Sequence, residues 1–298
     1  IAEHLENGIR QPVFVAAHRR ISTIIAFMGV LYSGNFYVPI DPGIPEGRKR
    51  LVFQRVEPAL VLLRNSNDRF LESSTYEGRS ILLEDSIHHP IDERRLGQAR
   101  QQLVDVDPLF AIFTSGSTGV PKCVLISHRS VMTFIKNFGE LFELSSEMVL
   151  GNQAPLDYDG SVKEIFLTLY HCSVMHILPK KLFSFPVRLF EYLDQRKVNT
   201  LNWAAAALKL LAEHQALDSP KKPTFIKRVF FSGEVMPNRV LNYFREHYPQ
   251  VQFVNLYGPT EATFNCSYFI VDRPFSDDAD LPIGKPFPNT ALMVLNED

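Results

Sequence analysis

An α/β fold built on largely parallel sheet is what this sequence predicts, and two observations carry the prediction. Short apolar runs alternate with segments of three-and-four hydrophobic spacing along nearly the whole chain, which is the signature of βα units. Near Ser267 the alternation gives way to strand-like pieces around a Pro- and Asp-rich loop from Arg273 to Pro282, so a small β subdomain is expected to open there.

The apolar runs place strands at Phe36–Ile40, Ala59–Leu63, Ile81–Leu83, Leu109–Thr114, Cys123–Ile126, Val174–Leu178, Thr200–Asn202, Arg228–Phe231 and Gln252–Asn255. Between them, Ser22–Tyr32, Glu46–Val56, Ser130–Phe142, Val162–Tyr170, Val187–Gln195, Ala205–His214 and Arg239–His247 carry helical spacing with one face to bury. Two further strands, Tyr268–Val271 and Leu292–Leu295, belong to the expected β subdomain.

Composition narrows the function. Of 298 residues, 45% are hydrophobic and 21% charged, which sets aside disordered, collagen-like and coiled-coil classes. Lys plus Arg number 31 against 33 Asp plus Glu, and a net charge of −2 offers no electrostatic footprint for nucleic acid or an anionic membrane. The basic runs Arg48-Lys49-Arg50, Lys180-Lys181 and Lys221-Lys222 read as solvated surface. The longest apolar stretch, Ile21 to Tyr32, is shorter than the roughly 20 residues a bilayer core requires and reads as a buried helix. Three widely spaced cysteines, Cys123, Cys172 and Cys266, fit neither a disulfide framework nor a zinc ribbon, so a reducing, cytoplasmic setting is expected. The chain opens at Ile1 without an initiator Met or a signal-peptide layout, and both ends read as cut from something longer.

Two motifs carry chemistry. Thr114-Ser115-Gly116-Ser117-Thr118-Gly119-Val120-Pro121-Lys122 follows an apolar strand; its glycines let backbone approach a ligand, its hydroxyls donate, and its Lys supplies positive charge. The loop suits a polyphosphate, although it lacks the spacing of a Walker loop; a plain surface hairpin is the alternative. Asn255-Leu256-Tyr257-Gly258-Pro259-Thr260-Glu261-Ala262-Thr263 also follows a strand, and it offers a flat aromatic face, a tight turn, a hydroxyl and a hard oxygen donor suited to Mg²⁺. Its alternative is a helix start capped by Thr260 or Glu261.

With both motifs present, the chain resembles the adenylate-forming enzymes, the superfamily of acyl-CoA synthetases, luciferases and nonribosomal peptide synthetase adenylation domains. Ser33-Gly34-Asn35-Phe36-Tyr37-Val38-Pro39-Ile40-Asp41-Pro42 and Phe231-Ser232-Gly233-Glu234 place it nearer the amino-acid-activating branch, where D-alanine carrier-protein ligases are similar. The four motifs stand in family order from about Val13 onward. The resemblance implies two mostly parallel sheets with packed helices, layered αβαβα, plus the start of a small β-barrel subdomain. It also implies that residues 1–298 are an incomplete N-terminal large domain, with lobes about 1–145 and 146–270, the β subdomain starting at 271–298, and the C-terminal small domain absent.

The same resemblance implies site roles. Thr114, Ser115, Gly116, Ser117, Thr118, Gly119 and Lys122 would close over the ATP phosphates. Tyr257 and Gly258 would sit at adenine, with Gly233 and Glu234 on its other side and Asn255 reaching the exocyclic amine. Thr260 would contact the α-phosphate and Glu261 would hold Mg²⁺; Lys122, Thr260 and Glu261 are the expected catalytic groups. The amino acid would meet Asp159 through its ammonium, because Tyr158-Asp159-Gly160-Ser161-Val162 matches the family's aromatic-Asp-x-Ser-Val segment. A carboxylate at the mouth of an apolar pocket selects an amine over a plain fatty acid. Gly160, Lys163, Asn202, Phe230, Ser232, Leu256, Phe264 and Asn265 match the pocket lining.

Near the pocket, Ser161 followed by Glu164 is a capping-box spacing, so α-helix is expected from Val162 with Asp159 outside it. Asp157 or Asp159 capping that helix, or pairing with Lys163, is the structural alternative. Lys163 either faces the pocket, where it could meet a substrate carboxylate, or packs its stem while its amine reaches water. Ser127 is expected to cap the helix after His128, Trp203 to lie in the core, and His171, His176 and Cys172 to pack without a metal.

The expected function is ATP-dependent activation of an amino acid carboxylate, with pyrophosphate released, followed by thioester transfer to the phosphopantetheine of a carrier protein. The alternatives are an acyl- or aryl-CoA synthetase, against which Asp159 argues, and a non-catalytic nucleotide-binding module.

Overall fold

The computed structural model describes every residue except 7, 73–75, 87, 115–120 and 297–298. The chain folds as two compact units, residues 1–133 with 155–159, and residues 134–154 with 160–298.

The first unit is a six-stranded sheet. Its elements run β1 (Pro12–Ala16), α1 (Ile21–Tyr32), β2 (Phe36–Ile40), α2 (Glu46–Arg55), β3 (Leu60–Leu63), β4 (Ser80–Leu82), α3 (Leu83–Ser86), α4 (Glu93–Gln101), β5 (Pro108–Thr114) and β6 (Lys122–Ser127). The spatial order is β4-β3-β1-β2-β5-β6, parallel throughout except for the antiparallel β5–β6 pair. Strands buried on both faces read as continuous apolar runs, and β2 and β3 are buried at every position. On one face Phe14, Val38, Val52 and Val61 share a core; Phe27 of α1 stacks on Tyr37 of β2 with ring centroids 4.2 Å apart. The expected strands omit β1, although Pro12–Ala16 is an unbroken apolar run and lies between β3 and β2 in the middle of the sheet.

Helix α5 (His128–Leu141) begins where Ser127 accepts a hydrogen bond from the Ser130 amide at 3.2 Å, as its capping role requires. The second unit continues with β7 (Val149–Asn152), α6 (Asp159–Tyr170), β8 (Val174–Ile177), α7 (Pro186–Gln195), β9 (Thr200–Ala204), α8 (Ala205–Glu213), β10 (Arg228–Ser232), α9 (Asn238–His247), β11 (Gln252–Tyr257), β12 (Ser267–Ile270) and β13 (Lys285–Pro286). Its seven strands lie in the order β13-β12-β11-β10-β9-β7-β8, with β12 and β13 antiparallel.

Alternation along these strands divides side chains between two faces. Leu201, Trp203, Val229, Phe231 and Phe253 join α7, α8 and α9 in one core, where the Trp203 indole donates to the Gly151 carbonyl at 2.7 Å. Phe230 points the other way, into an aromatic cluster with Phe138 and Phe142 at 5.0 and 4.9 Å.

Tyr268–Val271 is expected to open a β subdomain. β12 and β13 extend the second sheet instead, and no closed barrel or strand at Leu292–Leu295 exists among the described residues. The apolar run there joins no ladder among the described residues, and Met293, Val294 and Leu295 are 79%, 100% and 81% exposed. Among the described residues no helix is long and apolar enough to cross a membrane.

Candidate functional site

In parallel sheets ligands gather where strands end at their carboxyl edge, and β10 and β11 are adjacent there. Their register pairs Phe231 with Asn255, so Ser232-Gly233 and Leu256-Tyr257 leave the sheet side by side. Gly233 turns the chain with φ of +94°, a conformation that favours glycine. Glu234 follows, exposed and 3.6 Å from the Lys209 ammonium. Tyr257 closes β11 with its side chain exposed.

The loop after Tyr257 is tightly built. Gly258 packs so closely on the returning chain that a Cβ there would stand 2.5 Å from the Asn265 Cα. A 3₁₀ turn over Thr260–Ala262 presents Thr260 and an exposed Glu261. Thr263 and Phe264 then take left-handed φ values of 59° and 70°, each costing on the order of 1–2 kcal/mol for a residue with a Cβ. Phe264 compensates by burying its ring edge-on against Phe134 at 5.2 Å. The Cys266 amide closes the loop on the Tyr257 carbonyl at 2.8 Å. Asn255 donates its carboxamide nitrogen to the Pro282 carbonyl at 2.9 Å.

The residues expected to line the acid pocket, Gly160 through Asn265, lie in the same unit. Asn202, Phe230 and Leu256 are buried on the face opposite Phe231 and Phe253, while Ser232, at the end of β10, is half-buried. Lys163 is buried, its ammonium donating to Asn265 Oδ1 at 2.8 Å and standing 5.4 Å from the Phe138 ring. It therefore does not snorkel to water; the amine is spent on an internal acceptor. Gly160 is half-buried at the second position of α6.

The capping-box reading is corrected here. α6 begins at Asp159, which is its first residue and not outside it. Ser161 donates to the Ala154 carbonyl at 2.9 Å and accepts from Asn152, while Glu164 accepts from Asn152 and, at 2.8 Å, from Asn202. Both side chains are fully buried, so they satisfy core asparagines rather than helix-end amides. Asn152 and Glu164 are the polar core that sequence reasoning missed as such. The sequence carried no signal for this; it is the structure that shows five consecutive buried positions from Ser161 to Ile165, too many for a one-faced helix.

Asp159 belongs to the first unit, where it is 5% exposed. Beside it, burial and then the Asp159 charge push the Tyr158 phenol above its ordinary range. Burial, followed by the charge of Asp41, raises the Asp157 carboxyl. Also in the first unit, Thr114 and Lys122 face each other across the β5–β6 hairpin, with Lys122 exposed. Ser115, Gly116, Ser117, Thr118 and Gly119 lie outside the described residues. Away from these groups, His176 meets Tyr192 edge-on at 6.3 Å.

The AMP-binding enzyme family matches residues 1–298. A D-alanine–D-alanyl carrier protein ligase of Staphylococcus aureus (strain Newman) is 29% identical over 297 residues, covering 99% of this chain and 59% of that protein. A plipastatin synthase protein of Bacillus subtilis (strain 168) is 28% identical over 303 residues, covering 99% of this chain and 8% of that protein. The chain thus spans under two thirds of either relative. Among solved structures, the nonribosomal peptide synthetase FmoA3 superposes with a TM-score of 0.82 at 23% identity, over 96% of this chain and 30% of that one. IdnL1 gives 0.78 at 24% identity, over 99% and 61%. Both share the fold.

Proposed function

The chain belongs to the AMP-binding enzyme family, and we propose that it activates the carboxylate of an amino acid with ATP, releasing pyrophosphate. A carboxylate oxygen of the amino acid attacks the α-phosphorus, the bond from that phosphorus to the bridging oxygen of pyrophosphate breaks, and an aminoacyl-adenylate results. Transfer to the phosphopantetheine thiol of a carrier protein follows, with AMP leaving. A relative named as a carrier protein ligase supports that second step.

The observation that carries the reading is the pairing of two strand ends. Gly233-Glu234 and Tyr257 through Glu261 leave neighbouring parallel strands together, putting a flat exposed ring beside a glycine turn. On this reading Tyr257 stacks on adenine, Gly233, Glu234 and Gly258 border it, and Asn255 accepts from its exocyclic amine. Thr260 donates to the α-phosphate. Thr114, Ser115, Gly116, Ser117, Thr118, Gly119 and Lys122 bind the departing phosphates, where preorganised positive charge stabilises the transition state without a side-chain nucleophile. Asp159 pairs with the substrate ammonium, and the buried cluster around Lys163, Asn202, Phe230, Leu256, Phe264 and Asn265, with Gly160 and Ser232, borders the side chain.

Mg²⁺ fits the residues present. No group of three or more His, Cys, Asp or Glu side chains forms a self-contained metal cage among the described residues. One exposed carboxylate, Glu261, beside substrate phosphates is the donor set Mg²⁺ accepts. When bound, the ion neutralises charge on the phosphates.

Amino-acid-dependent ATP–pyrophosphate exchange by the protein carrying these residues tests the reading. Glu261→Ala should lower exchange by roughly 10²–10³-fold, the usual effect of removing one group that stabilises developing charge, and Asp159→Ala should weaken exchange by roughly 10–10²-fold, chiefly through a higher KM for the amino acid, the effect of losing a hydrogen-bonded partner of a charge present throughout. Exchange supported by aryl or fatty acids but by no amino acid would point to an acyl-CoA synthetase. Full activity in both variants would remove the site assignments.

A further inference from the structure

Between β12 and β13 the chain runs through a long loop, residues 271–284, and three asparagines hold it by its carbonyls. Asn238, at the start of α9, donates its side-chain nitrogen to both Ser276 and Ala279, at 2.8 and 2.7 Å. One turn on, Asn242 donates to Phe275 at 2.7 Å. Asn255 in β11 donates to Pro282 at 2.9 Å. Phe275 and Leu281 pack onto the core beneath. The carboxamide oxygens of Asn238 and Asn242 are buried without a hydrogen-bond partner. That costs free energy, so these two side chains serve the loop through their nitrogens alone.

The clamp matters because a carboxamide is ambidextrous. Turned by 180°, it presents an NH₂ donor where it had presented an oxygen acceptor. An unrestrained Asn255 could therefore meet a base amine or a base carbonyl equally well. Pro282 removes the choice. Its carbonyl can only accept, and the ring leaves that residue no N–H to offer a flipped oxygen. A flipped Asn255 would set oxygen against oxygen and lose the bond.

We infer that the loop 271–284 is a strap that fixes the orientation of the Asn255 carboxamide, so that its oxygen faces the nucleotide and selects a purine bearing an amine at C6, such as adenine, over one bearing a carbonyl at C6, such as guanine. This rests on the nucleotide site proposed above. Pro282 and the clamps Asn238 and Asn242 are then positioning residues, acting through Asn255. All of them lie in the second unit.

The test measures dissociation constants of this chain for ATP and GTP by isothermal titration calorimetry. Two loosened straps are compared with the parent: Asn242→Ala, and insertion of two glycines between Asp277 and Asp278, which are exposed. The insertion leaves every clamp residue in place and guards against a variant that fails to fold. The parent should prefer ATP, because a site built around one hydrogen-bonding pattern rejects the opposite one. Each loosened strap should lower that preference by at least about fivefold, through weaker ATP binding with GTP binding held or improved. Parallel weakening of both nucleotides, or an unchanged ratio, would assign the strap a structural role only and overturn the inference while leaving the adenylation reading intact. A parent that binds ATP and GTP equally would overturn the strap as well. Binding of neither nucleotide would overturn the adenylation reading, and this inference with it.

Discussion

Replacing Gly258 by alanine tests the geometry of the loop at its tightest point. The added Cβ would stand 2.5 Å from Asn265 Cα, 2.7 Å from the Cys266 nitrogen and 2.9 Å from the Asn265 carbonyl carbon. Ordinary van der Waals contact begins at 3.4 Å, so the returning strand must retreat by about 0.9 Å. Every atom it meets is backbone, and no rotamer change relieves the contact. Overpacking of this kind costs about 1–3 kcal/mol. The displaced segment also carries the Cys266 amide bond to Tyr257, whose weakening adds about 1 kcal/mol. The sum is a loss of roughly 2–4 kcal/mol. The single tryptophan, Trp203, is buried in the same unit, so its fluorescence during urea unfolding reports the change directly. Gly97→Ala supplies the opposite sign: a Cβ there meets nothing within 4 Å in the interior of α4. It should stabilise by about 0.5–1 kcal/mol, read by circular dichroism. A Gly258→Ala midpoint within about 0.5 kcal/mol of the parent would refute the close approach of the two chain segments.

Two further perturbations probe buried polar groups. Glu164→Ala leaves the Asn152 and Asn202 side-chain nitrogens without this acceptor inside the core, and a loss of about 1–3 kcal/mol is expected from Trp203-monitored unfolding; Glu164→Gln, which keeps the shape, should fall between that variant and the parent. Asp107 is held below the usual carboxylate range, first by its hydrogen bond from Arg10 at 2.6 Å. A depressed folded value means that this stabilisation is present above the unfolded value of about 3.9 and is lost as pH falls through the lower folded value. Asp107→Asn should therefore lower the urea midpoint at pH 7 and narrow the gap to the parent on acidification below about pH 4; a gap independent of pH would contradict the pairing.

Strand and helix boundaries were legible where one rule governed them. Phe36–Ile40 is a strand at the predicted limits, because an apolar run of that length between breakers has few other uses. The break after β11 was legible because Gly258-Pro259 following an apolar run has a strong local preference for a turn. β7 was not: only Val149 and Leu150 are apolar, and Gly151-Asn152 reads as a break. Gly151 is there for space and pairing, its Cβ position lying 3.1 Å from Val198 and its carbonyl accepting from Trp203. Both partners are more than 45 residues away. Ser161 and Glu164 failed for a related reason, since their spacing is identical for a capping box and for two inward-facing core residues, and only the distant asparagines distinguish the cases.

Lys163 shows how those distant partners tie together the residues of the second unit. Its ammonium holds Asn265, and Asn265 is the residue whose backbone Gly258 abuts. Gly258 in turn fixes the turn that presents Thr260 and Glu261. On the next position of α6, Glu164 holds Asn202 of β9, so one helix grips both a central strand and the base of the Tyr257 loop. Burying an ammonium and a carboxylate at consecutive helix positions is expensive unless each is hydrogen-bonded. In this unit that expense secures a fixed distance between the residues proposed to hold the amino acid and those proposed to hold the nucleotide. An in-line attack requires such a distance, because reacting atoms must be held about 3–3.5 Å apart before the barrier falls.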